Sequence, residues 1–293
     1  MKRLLSSLAA SALFGSSIFA PAALAAPRVA TSLSSPLGAG GRALHAPAPS
    51  KGKHFGPDTG TVEYSSNWSG YAQNNGATTG PFTGVKSKFV VPTVHIESGT
   101  QYSSDWVGIG GWNESTLVQD GIEADNLDGT AFYQAWTEIL PAAEDPLTLT
   151  IHPGDSIKAS VREIATNTWK MTVKDKTLGT KASRTVSYDS SGASMEVITE
   201  RPCISDGCTS VNDLATLAQT TNETYVPADL TTSAPGPTAV YEPALTPLGG
   251  QTLYDVNMVN NADTAVIATP SNANTQNDGF TVQDGSTVPP PPA

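Results

Sequence analysis

Hydrophobic and polar residues alternate in short runs along much of the chain. The alternation is strict in Lys158–Arg162 and Trp169–Val173, as expected of strands with one face on a core and the other in water. The runs are rich in Val, Ile, Thr, Tyr and Trp, the residues that favour strands. The pattern predicts ten strands: Val85–Val91, Ser103–Ile109, Ala131–Glu138, Leu147–Ile151, Ser156–Ile164, Thr168–Val173, Arg184–Tyr188, Met195–Thr199, Thr252–Val259 and Thr264–Ala268.

Turn signals separate these runs and decide the fold class. Asn75-Gly76, Asp128-Gly129, Pro153-Gly154 and Asp206-Gly207 lie between or beside the predicted strands, and such steps favour tight turns. The 26 glycines and 22 prolines exclude a helical bundle. Only Val211–Ala218 has a weak helical pattern. The sequence therefore predicts an all-β sandwich or barrel.

The first 25 residues have the organisation of a secretory signal peptide. Lys2 and Arg3 precede the apolar stretch Leu4–Phe19, and Ala23-Leu24-Ala25 is a small-x-small cleavage site. The stretch is short and contains serines, whereas a membrane span needs about 20 apolar residues. We therefore expect a secreted, extracellular protein without membrane association.

Composition and charge change together near residue 60. Residues 26–60 are rich in Ala, Pro, Gly and Ser and carry four basic residues against Asp58 alone, whereas residues 61–293 carry 10 basic and 26 acidic residues. A basic leader before an acidic domain predicts a propeptide held partly by charge. The alternative is a disordered linker whose positive net charge is accidental. We expect the domain to span 61–283 and the Pro-rich tail, 284–293, to be disordered.

Several function classes are disfavoured. A net charge of −11 disfavours nucleic acid and anionic membranes as partners. Two cysteines cannot supply a four-thiolate metal site, and Cys203 and Cys208 are predicted to close a small disulfide loop. The sequence has no HExxH zinc motif and no Gly-x-Ser-x-Gly elbow. Asp58-Thr59-Gly60 spells the triplet of aspartic proteases, but these enzymes need two copies. We expect neither a metal nor a cofactor.

What remains is a set of carboxylates, one amide and several tryptophans. Glu138 and Glu196 each interrupt a strand of apolar or aromatic residues, which is costly unless the carboxylate is paired or used. The alternative is that each of these carboxylates simply lies on the solvent-exposed face of its strand. These residues fall in five segments: Ser66–Tyr71, Trp106–Gly111, Val118–Gly121, Tyr133–Glu138 and Met195–Pro202.

In this order the five segments resemble the glutamic peptidases, or eqolisins. The family signatures are Asn-Trp-(Ser/Gly)-Gly, Trp-Val-Gly-Ile, Gln-x-Gly, Tyr-x-Ala-Trp-x-Glu and Glu-Trp-Ile-x-Glu, and the resemblance spans Tyr64–Val282. It implies a β-sandwich of two antiparallel sheets, similar to concanavalin-like lectins. It also implies a secreted acid endopeptidase that acts on proteins and peptides without metal or covalent intermediate, and we expect a monomer.

The resemblance implies Gln119 and Glu196 as the catalytic pair. Glu196 would take a proton from water and return it to the leaving amine, while the Gln119 amide would donate to the oxyanion. Glu138 matches a glutamate that lines the family's site. Side chains implied to line the cleft are Asn67, Trp68, Trp106 and Trp136, with core packing as the alternative for Trp68 and Trp106.

Three departures from the family pattern and one rival residue qualify this assignment. The interval from Trp106 to Gln119 is one residue shorter than in the family. Gly110 stands where fungal members usually have aspartate, and Val197 replaces a tryptophan. Glu200 lies four residues after Glu196, so a strand presents both on the same face. Spacing alone does not choose between them; the family match favours Glu196.

Two other function classes fit a lectin-like sandwich. A carbohydrate-binding module would use exposed aromatic and amide side chains but has no need of a basic leader. A glycosidase of sandwich fold would use two carboxylates about 5–5.5 Å apart, for which Glu138 and Glu196 are candidates, but it has no special need of Gln119.

Overall fold

A computed structural model describes residues 44–45, 61–75, 81–112, 114–205, 208–236, 238–247 and 250–293. These residues all belong to one unit, Ser35–Ala293. The predicted signal peptide lies outside the described residues, as do Gly76, Asp206-Gly207 and all of the predicted propeptide except Leu44 and His45.

Strands form almost all of the regular structure in the described ranges. The one helical element among the described residues is a 3₁₀ turn at Val211–Asp213. The strands, in chain order, are β1 (Val62–Ser65), β2 (Trp68–Asn74), β3 (Gly84–Val90), β4 (Thr100–Gln101), β5 (Ser104–Gly110), β6 (Leu117–Leu127), β7 (Ala131–Ile139), β8 (Asp145–Pro146), β9 (Ser156–Ala165), β10 (Thr168–Asp175), β11 (Lys181–Ser187), β12 (Ser194–Glu200), β13 (Glu223–Tyr225), β14 (Ala228–Thr231), β15 (Glu242–Pro243), β16 (Thr252–Val259), β17 (Val266–Pro270) and β18 (Phe280–Asp284).

The strands form two sheets. The large sheet has the order β13-β18-β17-β16-β2-β12-β5-β6-β7-β8, with β1 added to β16 and β4 to β6; the small sheet has the order β11-β10-β9-β3-β14-β15. Strand pairs are antiparallel except β1 with β16. The prediction of an all-β sandwich built from two antiparallel sheets is confirmed.

The core lies between the two sheets. The small sheet contributes alternate residues such as Val161 and Met171, and the large sheet contributes Val107, Ile122 and Val197 from its inner face. In β9 buried and partly exposed positions alternate along the strand, as the sequence pattern predicts. The outer face of the small sheet is therefore in contact with solvent.

The outer face of the large sheet is also buried, and it positions the site. Every residue of β5 and of β12 is buried, so both faces of these central strands are covered. A second apolar cluster lies on the outer face and contains Trp68, Ala72, Trp106, Trp112, Leu117, Trp136, Leu140, Ile198 and Val256. The carboxylates predicted to carry the chemistry lie among these residues.

Two predicted elements were wrong, and several strands of the structure were not predicted. Leu147–Ile151 is irregular, since Leu147 donates one backbone hydrogen bond to Ala135 but the segment has no strand partner. Only the first three residues of Val211–Ala218 form a helical turn. The sequence analysis also missed β6, in which Asp120, Glu123, Asp125 and Asn126 are residue types depleted in strands.

The C-terminal end of the chain joins the large sheet through β18. The predicted boundary after residue 283 falls inside β18, where Asp284 accepts a hydrogen bond from the Thr220 backbone amide. Residues 285–293 have no regular secondary structure, and Pro289 is buried. Among the described residues no helix has the length and hydrophobicity needed to cross a membrane.

Candidate active site

One row of residues across the large sheet contains the predicted catalytic pair. Glu196 of β12 is opposite Gly108 of β5, Gly108 is opposite Gln119 of β6, and Gln119 is opposite Glu138 of β7. Side chains directly across neighbouring strands share one face. Gln119 and Glu138 are therefore adjacent, whereas Glu196 is two strands away from Gln119.

The space between Glu196 and Gln119 is filled by apolar side chains. A Cβ atom built on Gly108 would lie 2.9 Å from the Trp106 ring and 2.9 Å from a Leu117 methyl group. These two side chains thus cover Gly108. Glu196 lies instead beside Ser194 and the Trp112 main chain, and burial raises its pKa well above the usual range. The structure does not bring Glu196 together with Gln119.

Glu200 occupies the position that joins the tryptophans to the carboxylate cluster. Its Oε1 accepts a 2.7 Å hydrogen bond from Asn67 Nδ2, and its Oε2 accepts a 2.7 Å hydrogen bond from Trp106 Nε1. Oε2 also lies 3.2 Å from His45 Nδ1. Burial raises the pKa of Glu200, while His45 and the indole donors lower it. These donors favour the ionised form of a buried carboxylate.

His45, from the predicted propeptide, lies at the centre of the site. Its ring stacks on Trp136 with centroids 4.1 Å apart and planes within 2°. Its Nε2 lies 2.8 Å from Glu123 and 3.8 Å from Glu144. Burial lowers the pKa of His45, but the surrounding glutamates outweigh it, so the pKa lies well above its ordinary value. His45 is thus held as an imidazolium.

The backbone of His45 contacts the predicted catalytic amide. Gln119 Nε2 donates a 2.8 Å hydrogen bond to the His45 carbonyl oxygen, and the His45 amide donates to both Glu138 oxygens at 3.2 and 3.3 Å. Leu44, the preceding residue, pairs with Cys203 through two backbone hydrogen bonds. The dipeptide is therefore held as a short extended segment in the site.

Gln119 and Glu138 are also joined directly, since Gln119 Nε2 donates to Glu138 Oε2. Burial raises the pKa of Glu138 to about 8; His45 lowers it, and Glu200 and Glu144 raise it. Glu138 is thus protonated at acid pH. A protonated carboxyl can donate as well as accept hydrogen bonds.

Three residues of the site were missed by the sequence analysis as site residues: His45, Glu123 and Glu144. Glu123 could have been found, because it follows Gln119 by four residues and shares its face of β6. Burial raises its pKa to about 7, against the opposing effect of His45. His45 and Glu144 carry no local signal, since one lies in the leader and the other in the turn after β7.

The residues able to hold a metal ion are these same three. Ligand atoms of His45, Glu123 and Glu144 lie within 4.8 Å of one another. His45 Nε2 and Glu123 Oε1 are only 2.8 Å apart, in direct ion-pair contact. The disulfide candidates, Cys203 and Cys208, are joined in the structure and lie beside Leu44.

Comparison with known proteins identifies the family. The model of the peptidase A4 family matches residues 66–283. The chain belongs to the peptidase A4 family. Its members include the eqolisins, or glutamic peptidases, and the chain is a glutamic-type endopeptidase.

Two characterised relatives show how far the similarity extends. Aspergillopepsin-2 of Aspergillus niger is 33% identical over 202 residues, covering 60% of this chain and 70% of the relative. Scytalidopepsin B of Scytalidium lignicola is 34% identical over 110 residues, covering 36% of this chain and 41% of that protein. Both are similar to this A4 peptidase along only part of its length.

Solved structures support the fold. Scytalido-glutamic peptidase with a transition-state analogue inhibitor superposes with a TM-score of 0.57 at 22% identity, covering 75% of this chain and 98% of that one. A member of the eqolisin family in complex with the tripeptide Ala-Ile-His gives a TM-score of 0.51 at 20% identity, with the same coverage. At these identities the likeness establishes the sandwich fold of the A4 peptidase.

Proposed function

We propose that this chain is a secreted acid endopeptidase in which Gln119 and Glu200 activate water, and that residues 26–60 form a propeptide whose Leu44 and His45 cover the site. One observation carries the proposal. Gln119, Glu138 and Glu200 all contact His45, whereas Glu196 is separated from them by Trp106 and Leu117. Glu200 therefore replaces Glu196 as the proposed base.

The His45 carbonyl suggests how a substrate amide would bind. Gln119 Nε2 donates to this carbonyl at 2.8 Å, which is the distance expected for a donor to a developing oxyanion. Glu200 would remove a proton from a water that attacks the carbonyl carbon and would then pass that proton to the leaving nitrogen. The C–N bond breaks as the carbonyl re-forms. Asn67 and Trp106 would hold Glu200 in position during both transfers.

Acid conditions suit this arrangement. The carboxyl groups of Glu123, Glu138 and Glu200 face one position, which His45 occupies. Their simultaneous ionisation would be costly once the His45 imidazolium had left. Protonation of some members at low pH removes that repulsion and leaves Glu200, with its two donors, as the favoured carboxylate.

Secretion and removal of the leader belong to the same proposal. The signal-like first 25 residues and the Cys203–Cys208 disulfide both fit an oxidising, extracellular compartment. Because the leader dipeptide occupies the proposed catalytic position, activity would require its displacement. Proteins and peptides would be the substrates, and the mature domain would act as a monomer.

The test is made on the secreted form. Its N-terminus is read, and it is incubated from pH 2 to 7 with denatured casein and, separately, with a polysaccharide. We expect an N-terminus after His45 and cleavage of casein with an acid optimum. Polysaccharide hydrolysis without proteolysis would overturn the proposal in favour of a glycosidase, and binding without hydrolysis would favour a carbohydrate-binding module.

A further inference from the structure

The positive charges of the acidic domain are concentrated on one sheet. Residues 61–293 contain ten lysines and arginines. Nine lie on or directly beside β3, β9, β10 and β11 of the small sheet. The tenth, Arg201, is buried and donates to backbone carbonyl groups of the large sheet and its loops. The sandwich therefore has a cationic side opposite the carboxylate-rich site.

Four lysines on the outer face form a single row across four strands. Lys88 of β3 is opposite Lys158 of β9, Lys158 is opposite Lys174 of β10, and Lys174 is opposite Lys181 of β11. Adjacent strands lie about 4.8 Å apart. Like charges directly opposite one another destabilise a sheet, so the row does not serve stability.

A second basic pair lies four residues further along the same strands. Arg162 of β9 is opposite Lys170 of β10. Between this pair and the lysine row are the hydroxyl groups of Ser160, Thr172 and Ser183, which are neighbours in register. Two bands of positive charge thus flank a band of hydroxyl groups.

Carboxylates leave most of this charge uncompensated within the described ranges. Asp229 forms a 3.1 Å ion pair with Lys86 on β3, and Asp145 forms a 3.1 Å ion pair with Arg184 on β11. The Arg162 guanidinium donates to neutral oxygens of Thr83 and Ala234. Burial lowers the pKa of Lys158, and so does its proximity to Lys86, Lys176 and Lys174, whereas Asp229 raises it.

The two bands line an open groove of about 710 Å³, whose walls include Lys158, Arg162, Lys170, Lys174 and Lys181. A concave surface lined with charges of one sign concentrates counter-ions more strongly than a flat one. The groove lies on the outer face of the small sheet, and the candidate active site lies on the outer face of the large sheet. A ligand in the groove would leave the active site open.

We propose that this groove binds a sulfated polysaccharide. Sulfate esters match the two basic bands, and the sugar hydroxyl groups match the row of Ser and Thr side chains between them. Sulfate is favoured over carboxylate because polymer carboxyl groups, with ordinary pKa values near 4, lose charge under acid conditions. The preference for sulfate over carboxylate rests on the proposed acid peptidase function. The charge distribution itself does not depend on that function.

The test measures binding of the secreted protein to dextran sulfate by isothermal titration calorimetry at pH 4 and low salt. Uncharged dextran, carboxymethyl dextran and duplex DNA serve as comparison ligands. We expect dextran sulfate to bind most tightly and its affinity to fall with added salt, since exposed charges are screened. Absence of binding, or equal affinity for duplex DNA, would overturn the assignment.

A pair of double variants localises the site. Lys158→Gln with Lys174→Gln removes two charges from the groove, and we expect dextran sulfate binding to weaken at least about tenfold. Lys176→Gln with Arg184→Gln removes the same charge from residues outside the groove lining and should have much less effect. Equal weakening by the two pairs would contradict the proposal. Casein cleavage, measured in parallel, reports separately on the peptidase.

Discussion

Trp106 Nε1 donates a 2.7 Å hydrogen bond to Glu200 Oε2, while the ring of the same tryptophan covers Gly108 and separates Glu196 from Gln119. One side chain therefore connects Glu200 to the site and excludes Glu196 from it. Glu196 and Glu200 share a strand, a face and full burial. They differ in what lies beside them, and this can be tested directly.

We predict that Glu200→Gln lowers kcat/KM for casein peptides by about 10²–10⁴-fold, as loss of a positioned acid–base does. Glu196→Gln should retain activity to within a few-fold. Burial holds the pKa of Glu196 well above its usual range, so at acid pH glutamine replaces a carboxyl group that is already neutral. Gln119→Ala should lose about 10²–10³-fold.

Circular dichroism and thermal unfolding of each variant provide the control, because only folded proteins are compared. If folded Glu196→Gln is inactive and folded Glu200→Gln is active, the base is Glu196 after all and the apolar separation over Gly108 must open during catalysis.

The sequence allowed the fold class to be predicted because alternation is a local property. β9 and β10 each have one solvent-exposed face, and their buried positions follow the alternation of hydrophobic and polar residues in the sequence. β6 was missed because its polar residues are buried by partners distant in the chain: Gln119 and Glu123 contact His45, and Asp120 accepts from the Thr172 amide of the other sheet. Tertiary contacts override propensity there.

The site was predictable only in part for the same reason. The five segments converge on the large sheet, and Asn67, Trp106, Gln119 and Glu138 lie together. The choice between Glu196 and Glu200 depends on the direction of the Trp106 ring, which strand spacing does not encode. The role of His45 depends on a contact across more than 70 residues.

A second prediction concerns the leader. A synthetic peptide of residues 26–60 should bind the mature domain most tightly at neutral pH. Binding should weaken as the pH falls through about 7, where Glu123 takes up a proton and its ion pair with the His45 imidazolium is lost. The carboxyl groups of Glu138 and Glu200, which also contact His45, act in the same direction.

The matched comparison uses two histidines of the same peptide. His45→Ala should reduce affinity at pH 7.5 and flatten its dependence on pH, whereas His54→Ala should change neither. Equal loss from both substitutions would mean that the leader is held by its overall charge and not by the contacts of His45 in the site. Fluorescence anisotropy of labelled peptide gives the affinities.

A third prediction concerns stability. Burial raises the pKa of Asp255 to about 7, from an ordinary value of 3.8. The native state therefore binds a proton that the unfolded state releases between about pH 4 and 7, so stability is greatest in acid and falls as the pH rises through this window. Asp255→Asn should reduce the fall between pH 4 and 8 by on the order of 1–3 kcal/mol.

Thermal unfolding from pH 4 to 8 measures this slope. Asp128→Asn, at an exposed turn position whose positive φ of 50° suits asparagine equally well, is the control and should leave the slope unchanged. An unchanged slope in Asp255→Asn would show that this carboxyl group titrates alike in the folded and unfolded states.

The last prediction concerns Gly110, where fungal members of the family usually carry aspartate. Gly110 has a φ of +90°, and a Cβ there would overlap the backbone carbonyl oxygen of Thr116. Gly110→Asp should therefore destabilise this protein and not restore an acidic partner to the site. Gly129→Asp is the matched control, because Gly129 has a similar φ of +86° with open space around its missing Cβ. The control should lose about 1–2 kcal/mol from the backbone conformation alone. Gly110→Asp should lose clearly more, because the overlapping atom belongs to the Thr116 backbone, just before β6, and cannot rotate away. Equal losses in urea unfolding would mean that β5 and β6 separate easily at this end, and an aspartate would then be tolerated.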